Sequence, residues 1–206
     1  MSGKLSVTML NILTSLYANN VYISPWLNNV KCILDECGMS DVFYHPHMYE
    51  YHWLVSTVFQ RLSDQFIQKW QADQTASHKG TFYLTLKPLF GPETYIYLPE
   101  KLSIPLIKFR TSNHFLPVET GRWSNISYDN RKCTLCNFQC IGNEYHYLLV
   151  CPYFEKEREM YLHPFYYVNP NDSKFYLLLG KISNTPMSIL RKLSIFINCI
   201  LKAFVN

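Results

Sequence analysis

The chain has 206 residues, 48% apolar and 17% charged, which supplies a hydrophobic core and excludes a disordered tail. Seven glycines, no repeat of fixed period and no proline- or serine-rich tract exclude collagen-like, solenoid and linker-dominated chains. The net charge of +4 does not define a partner, but it is unevenly placed: Lys101 to Cys140 holds six Lys or Arg against Glu119 and Asp129, and Lys174 to Asn206 holds five with no acid.

The opening MSGKLSVTMLNILTSLYANN loosely imitates a signal peptide. Asn11 and several hydroxyl residues interrupt the apolar stretch and no convincing cleavage site follows, so an intracellular protein, in nucleus or cytoplasm, is expected. Ser24-Pro25-Trp26 starts the first clear helix: Ser24 suits the cap, Pro25 the first helical position, and Trp26, Val30, Ile33 or Leu34, and Cys37 recur at helical spacing until Gly38. Cys32 and Cys37 are read as helix residues that pack rather than bind. From Met48 to Gln71, Trp53, Val58 or Phe59, Leu62, Phe66 or Ile67, and Trp70 predict a second amphipathic helix with a core face. QADQTASHKG breaks that pattern, and TFYLTLKPLFGPETYIYLPE reads as short, turn-punctuated elements of unassigned type.

Between Leu102 and Asn113, the positions Leu102, Leu106 and Phe109 line one helical face and leave Lys108 and Arg110 on a basic outer side. Pro105 suits such a helix only near its first turn. PVETGRWSN is read as a loop that delivers Arg122 and Trp123 ahead of a cysteine cluster. Near the end, SILRKLSIFINCILKAFV is apolar, but Arg191 and Lys192 near its middle are costly at bilayer depth, so a buried or interfacial helix is expected and no membrane partner.

The cluster is KCTLCNFQCIGNEYHYLLVC, Lys132 to Cys151. An odd total of seven cysteines and no export signal argue against a disulfide framework. Cys133, Cys136, His146 and Cys151 have the spacing C-x2-C-x9-H-x4-C, a ligand set for a closed tetrahedral zinc site. Two residues between the first pair let a tight turn aim both sulfurs at one ion, whose charge favours the thiolates. His146 and Cys151, five apart, do not share a face of a continuous α-helix. Pro152 resolves this, because the residue before proline leaves helical geometry: a short helix from Asn143 ends near Val150 and Cys151 swings back beneath His146, with Pro152 and Glu155 starting the next helix. Cys140 is a surplus thiol that could replace one ligand, and plain core packing of the cluster is the alternative to metal binding. A catalytic zinc would need an open position and a nearby acid or base such as Glu144; four protein ligands close the shell. A nucleophilic cysteine with His114, His146 or His163 as base is a further alternative, without a recognised motif around any cysteine.

LIKFRTSNHFLPVETGRW, RKCTLCN and IGNEYHYLLVCPYF together resemble the C-terminal zinc-binding region of reverse transcriptases encoded by non-LTR (LINE-type) retrotransposons, and SPWLNNVKCILDECG and LSDQFIQKWQAD resemble the segment preceding it. The resemblance spans roughly Tyr22 to Phe165. It implies zinc on Cys133, Cys136, His146 and Cys151, and a role in holding template RNA or target DNA. Lys108, Arg110, Arg122, Arg131 and Lys132 suit phosphate contacts and Trp123 suits base stacking. Polymerases need paired aspartates for two metal ions; Tyr17-Ala18-Asn19-Asn20 offers amides instead, so no catalysis is expected, and a polymerase domain would be supplied in trans.

The resulting expectation is a mainly α protein, a helical layer plus a small zinc-stapled helical module. Its segments are 1–22, an N-terminal stretch; 23–100, a helical region; 101–165, the zinc module; and 166–206, a basic helical tail. The expected function is non-catalytic nucleic-acid binding with structural zinc, as in a detached or remnant retrotransposon tail. The alternative is a zinc-stabilised protein-interaction module that binds no nucleic acid.

Overall fold

The computed structural model describes residues 11–19, 24–180, 182 and 185–204. It is mainly α, with no β-strand among the described residues and one isolated antiparallel bridge, Lys132 to Ile141. Two compact units divide the chain, Met1–Lys69 and Trp70–Asn206.

In the first unit, α1 covers residues 11–18, α2 Pro25–Glu36 and α3 Ser40–Tyr44, and α4, Tyr51–Ala76, begins. Ser24 takes the N-cap position with extended backbone, but its hydroxyl makes no capping bond. Gly38, at φ 65°, ends α2 in a Schellman turn: Met39 N–H donates to Leu34 O at 2.8 Å and Gly38 N–H to Asp35 O at 2.9 Å. Leu27, Leu34, Cys37, Met39, Val42 and Phe43 form the core, so α2 buries the face of Leu27, Leu34 and Cys37. Trp26, expected on that face, is 59% exposed, and Cys32 is exposed as well.

Helix α4 departs from expectation in two ways. It runs on to Ala76 through the supposed break, because Gln71 to Ala76 contains neither Gly nor Pro and its side chains tolerate helix. It also buries no residue: only Leu54 and Val58 pack partly against the first core, while Trp53, Phe59 and Phe66 stay about half exposed or more. Its first turn is closed by Glu50, whose carboxylate accepts from His52 N–H at 3.0 Å and Trp53 N–H at 2.7 Å. Of the Tyr17–Asn20 stretch, Asn20 lies outside the described residues, as do residues 1–10 and 21–22 of the expected N-terminal segment.

The second unit contains α5 (His78–Leu86), α6 (Glu100–Arg110), α7 (Pro117–Trp123), α8 (Glu155–Tyr161), α9 (Pro164–Tyr167), α10 (Asp172–Gly180) and α11 (Met187–Lys202). Of the stretch left unassigned by the sequence, residues 81–86 belong to α5 and Thr94–Tyr97 form a 3-10 turn, with irregular chain between them. PVETGRW is a helix rather than a loop, because Pro117 at its first position and Glu119 in its first turn are helix-start residues. In α6, Leu106 and Phe109 are fully buried and Pro105 sits beyond the first turn.

Leu190, Leu193, Phe196, Ile197 and Ile200 make one buried stripe along α11, which packs against α6 and α8. Arg191 and Lys192 lie on its exposed side. Ser194 lies within the stripe, and its hydroxyl donates to the Leu102 carbonyl of α6. No helix among the described residues is long and apolar enough to cross a membrane. One core runs from Leu86 to Ile200 and includes Cys133, Tyr147, Leu148 and Cys151, so the cysteine cluster is built into the same packing as the C-terminal helix.

Candidate metal centre

The first two ligand candidates stand on a knuckle. Cys133 N–H donates to Cys140 O and Gly142 N–H to Arg131 O, both at 2.8 Å, tying the two ends of the loop together. Gln139, at φ 54°, reverses the chain inside it. Leu135 N–H points back at Cys133 Sγ at 3.4 Å, a contact that favours a thiolate. Gly142 is required by space: a Cβ there would lie 2.8 Å from both Pro117 Cγ and the Tyr147 hydroxyl.

The second pair is set by a π-turn over His146–Val150, fully packed on its inner side by Tyr147, Leu148 and Leu149. Asn143 Oδ1 accepts from His146 N–H at 2.9 Å and fixes its start. Cys151 N–H donates to His146 O at 2.7 Å, closing an i to i+5 turn. Cys151 itself leaves helical geometry at ψ 123°, as the residue before Pro152 must. Pro152 marks the end of this helix in the sequence; the wider winding before it has no such marker.

The result is a cluster in which the ligand atoms of Cys133, Cys136, His146 and Cys151 all lie within 4.8 Å of one another. Cys133 Sγ and Cys151 Sγ are 3.9 Å apart, and Cys136 Sγ is 3.4 Å from His146 Nε2. A tetrahedral zinc with sulfurs at about 2.3 Å sets S···S edges near 3.8 Å and S···N edges near 3.6 Å, whereas a disulfide needs about 2.05 Å. The donor set and its edges therefore fit a closed metal site, and all three thiols are free. Cys133, His146 and Cys151 are buried and Cys136 is half-buried. Burial pushes the Cys151 thiol up to about 12 and also raises that of Cys136, while Cys133, which accepts hydrogen bonds, is lowered; a bound cation would favour the thiolate at all three. Cys140 is outside the group, its thiol directed to Phe138 O at 3.4 Å.

Two neighbouring features were not read from the sequence. Glu144 Oε1 accepts from Ser112 Oγ at 2.8 Å and lies 3.0 Å from His114 Nε2, so this buried carboxylate is engaged away from the sulfurs. Arg158 is buried on α8 and donates to three main-chain carbonyls of the π-turn region: Leu148 at 3.0 Å, Tyr147 at 3.5 Å and Cys151 at 2.6 Å. It is the one residue that the seven-residue α8 buries, and nothing in the sequence marks it.

The six residues expected to touch nucleic acid are not equivalent. Arg110 does not lie on a basic outer side: it is fully buried, donating from Nη1 to Glu93 Oε1 at 2.9 Å, with Tyr83 and Tyr95 ring centroids at 5.4 and 5.3 Å. Arg110 falls on the buried face of α6 with Ser103 and Leu106, and Glu93 supplies the countercharge. Arg122 binds Glu119 Oε2 at 2.8 Å, and Arg131 donates to Ile126 O at 2.9 Å and Val118 O at 3.0 Å. Lys108, Lys132 and Trp123 are exposed, and Trp123 meets Phe115 edge-on at 5.5 Å. His163, another candidate base, is an exposed cap of α9 that accepts from Phe165 N–H at 3.2 Å.

Comparison with protein-family models, curated protein sequences and solved structures gives no match.

Proposed function

We propose that the chain is a non-catalytic zinc-stapled module that lends a nucleic-acid-binding surface, in the manner implied by its resemblance to the C-terminal region of non-LTR retrotransposon reverse transcriptases. The observation that carries the metal part is the convergence of three sulfurs and one imidazole nitrogen within 4.8 Å inside the core. Zinc is the natural occupant of such a soft, four-coordinate, closed set, and with every position filled by protein its role is structural. Cys133→Ser and His146→Ala should each abolish stoichiometric zinc in the purified protein, whereas Cys140→Ser should retain it. One tightly held zinc in either ligand variant would sink the assignment.

The nucleic-acid part rests on Lys108, Lys132 and Trp123, exposed on the zinc-bearing unit, and on Arg191 and Lys192 on the outer side of α11. Titrating the zinc-loaded protein into fluorescent single-stranded RNA, hairpin RNA and duplex DNA across a salt series should give saturable binding with a negative slope. A second reading, a zinc-stabilised protein-interaction module, is favoured by the exposed Phe115, Ile126, Tyr128 and Phe138 near the knuckle in sequence. Absence of binding at low salt would select it.

A further inference from the structure

The buried guanidinium of Arg158 has hydrogen-bond partners but no carboxylate. Its three acceptors are neutral carbonyls, and among the described residues no acidic group forms an ion pair with it; Glu155, on the same helix, is exposed, and Glu157 is half-buried. A guanidinium does not shed its proton in a protein, so this charge persists in the core and needs a counterpart. A buried group able to supply one is the cluster itself. Arg158 Nη2 lies 2.6 Å from the carbonyl of Cys151, one of the ligand residues. A divalent zinc held by three thiolates and a neutral imidazole carries one negative charge in excess. Each buried charge is therefore incomplete without the other.

Resting on the zinc reading above, we infer that Arg158 is the counterion of the metal–thiolate cluster: its positive charge, delivered through the π-turn carbonyls, holds the anionic three-cysteine, one-histidine site in the core. The same three hydrogen bonds orient the turn that presents His146 and Cys151, so one side chain both positions two ligands and balances their charge. This makes Arg158 a positioning residue for the metal, specific to a ligand set with an odd thiolate, since a two-cysteine, two-histidine site around zinc would be neutral.

The test compares Arg158→Lys, which keeps the charge but not the planar fork, with Arg158→Gln, which keeps two donors and loses the charge. Zinc affinity of the full chain is measured by competition with a chromogenic chelator at fixed pH. Arg158→Lys should bind within about threefold of the unaltered protein and Arg158→Gln should weaken by about 10- to 100-fold, the usual reach of a residue behind a metal ligand. Equal weakening of both variants would reduce Arg158 to a hydrogen-bonding prop, and no weakening in either would remove it from the site; both results overturn the inference. Failure of the unaltered chain to bind stoichiometric zinc is a different result, which overturns the metal reading itself.

Discussion

The N–H of Cys151 donates to the carbonyl of His146 at 2.7 Å, so two candidate ligands five residues apart are brought to one side of the chain by a single backbone bond. An α-helical turn through the same residues would carry them to different faces. Pro152 holds the exit, because Cys151 at ψ 123° adopts the extended geometry that a following proline enforces.

Replacing Pro152 by Ala frees Cys151 to sample helical backbone before the metal arrives. The lost restriction is expected to weaken zinc binding by about fivefold, corresponding to ~1 kcal/mol of backbone freedom. Chelator competition on the purified variant measures this; an unchanged affinity would mean that the π-turn is fixed by Arg158 and Asn143 alone.

The zinc-free and zinc-loaded proteins should respond to pH in opposite directions. Without metal, burial pushes the Cys151 thiol up to about 12 from an ordinary value of 9.0. That raised value favours the folded state below pH 9, and the stability is lost as pH climbs from there toward 12, because the unfolded chain ionises first. With zinc the ligands are thiolates, protons compete with the metal, and affinity falls as pH drops below neutrality. Thermal unfolding of both forms between pH 5.5 and about 10.5 checks this. A zinc-loaded form whose melting temperature did not fall toward acid would contradict thiolate ligation.

Much of this architecture was legible because burial repeats with the helical period. Leu106 and Phe109 mark α6 by their spacing, and the apolar run from Ser188 to Val205 marks α11 as a buried helix, without any need for a partner's identity. The ligand set was legible for another reason: spacing in a tight turn is a local property, and Cys133 and Cys136 need only one. What stayed hidden depends on contacts distant in sequence. Arg110 looked like a surface cation because Glu93, which turns it inward, is separated by 17 positions and a helix start. Arg158 was silent because its partners are carbonyls, which carry no side-chain signature. The face of α4 is the reverse case, an amphipathic pattern that buries no residue fully, with Leu54 and Val58 partly packed on the first core and Trp70 against Tyr83 and Phe90.

Glu93 is the hinge of the second buried charge cluster. Its Oε1 accepts from Arg110 Nη1 at 2.9 Å and Tyr83 hydroxyl at 3.3 Å, and Lys87 Nζ lies 3.2 Å away. Glu93→Gln leaves a buried guanidinium without its anion and is expected to cost about 3–5 kcal/mol in urea unfolding. Adding Arg110→Met removes the stranded charge, so the double variant should recover most of the loss. A fully additive pair of losses would show that the two side chains act independently.

The same double variant separates structural cations from binding ones. If Lys108 and Lys132 contact phosphates, Lys108→Ala and Lys132→Ala should each flatten the salt dependence of duplex binding by about 0.9 in log–log slope. Trp123→Ala should instead cost about 1–3 kcal/mol on single strands with the slope unchanged, since stacking releases no counterions. Glu93→Gln with Arg110→Met should leave both quantities alone, because Arg110 is fully buried beneath Tyr83 and Tyr95. Anisotropy titrations of these variants at four salt concentrations measure all three effects together. A slope that changed with the Arg110 variant and not with the lysine variants would place the phosphate-binding surface elsewhere on the chain.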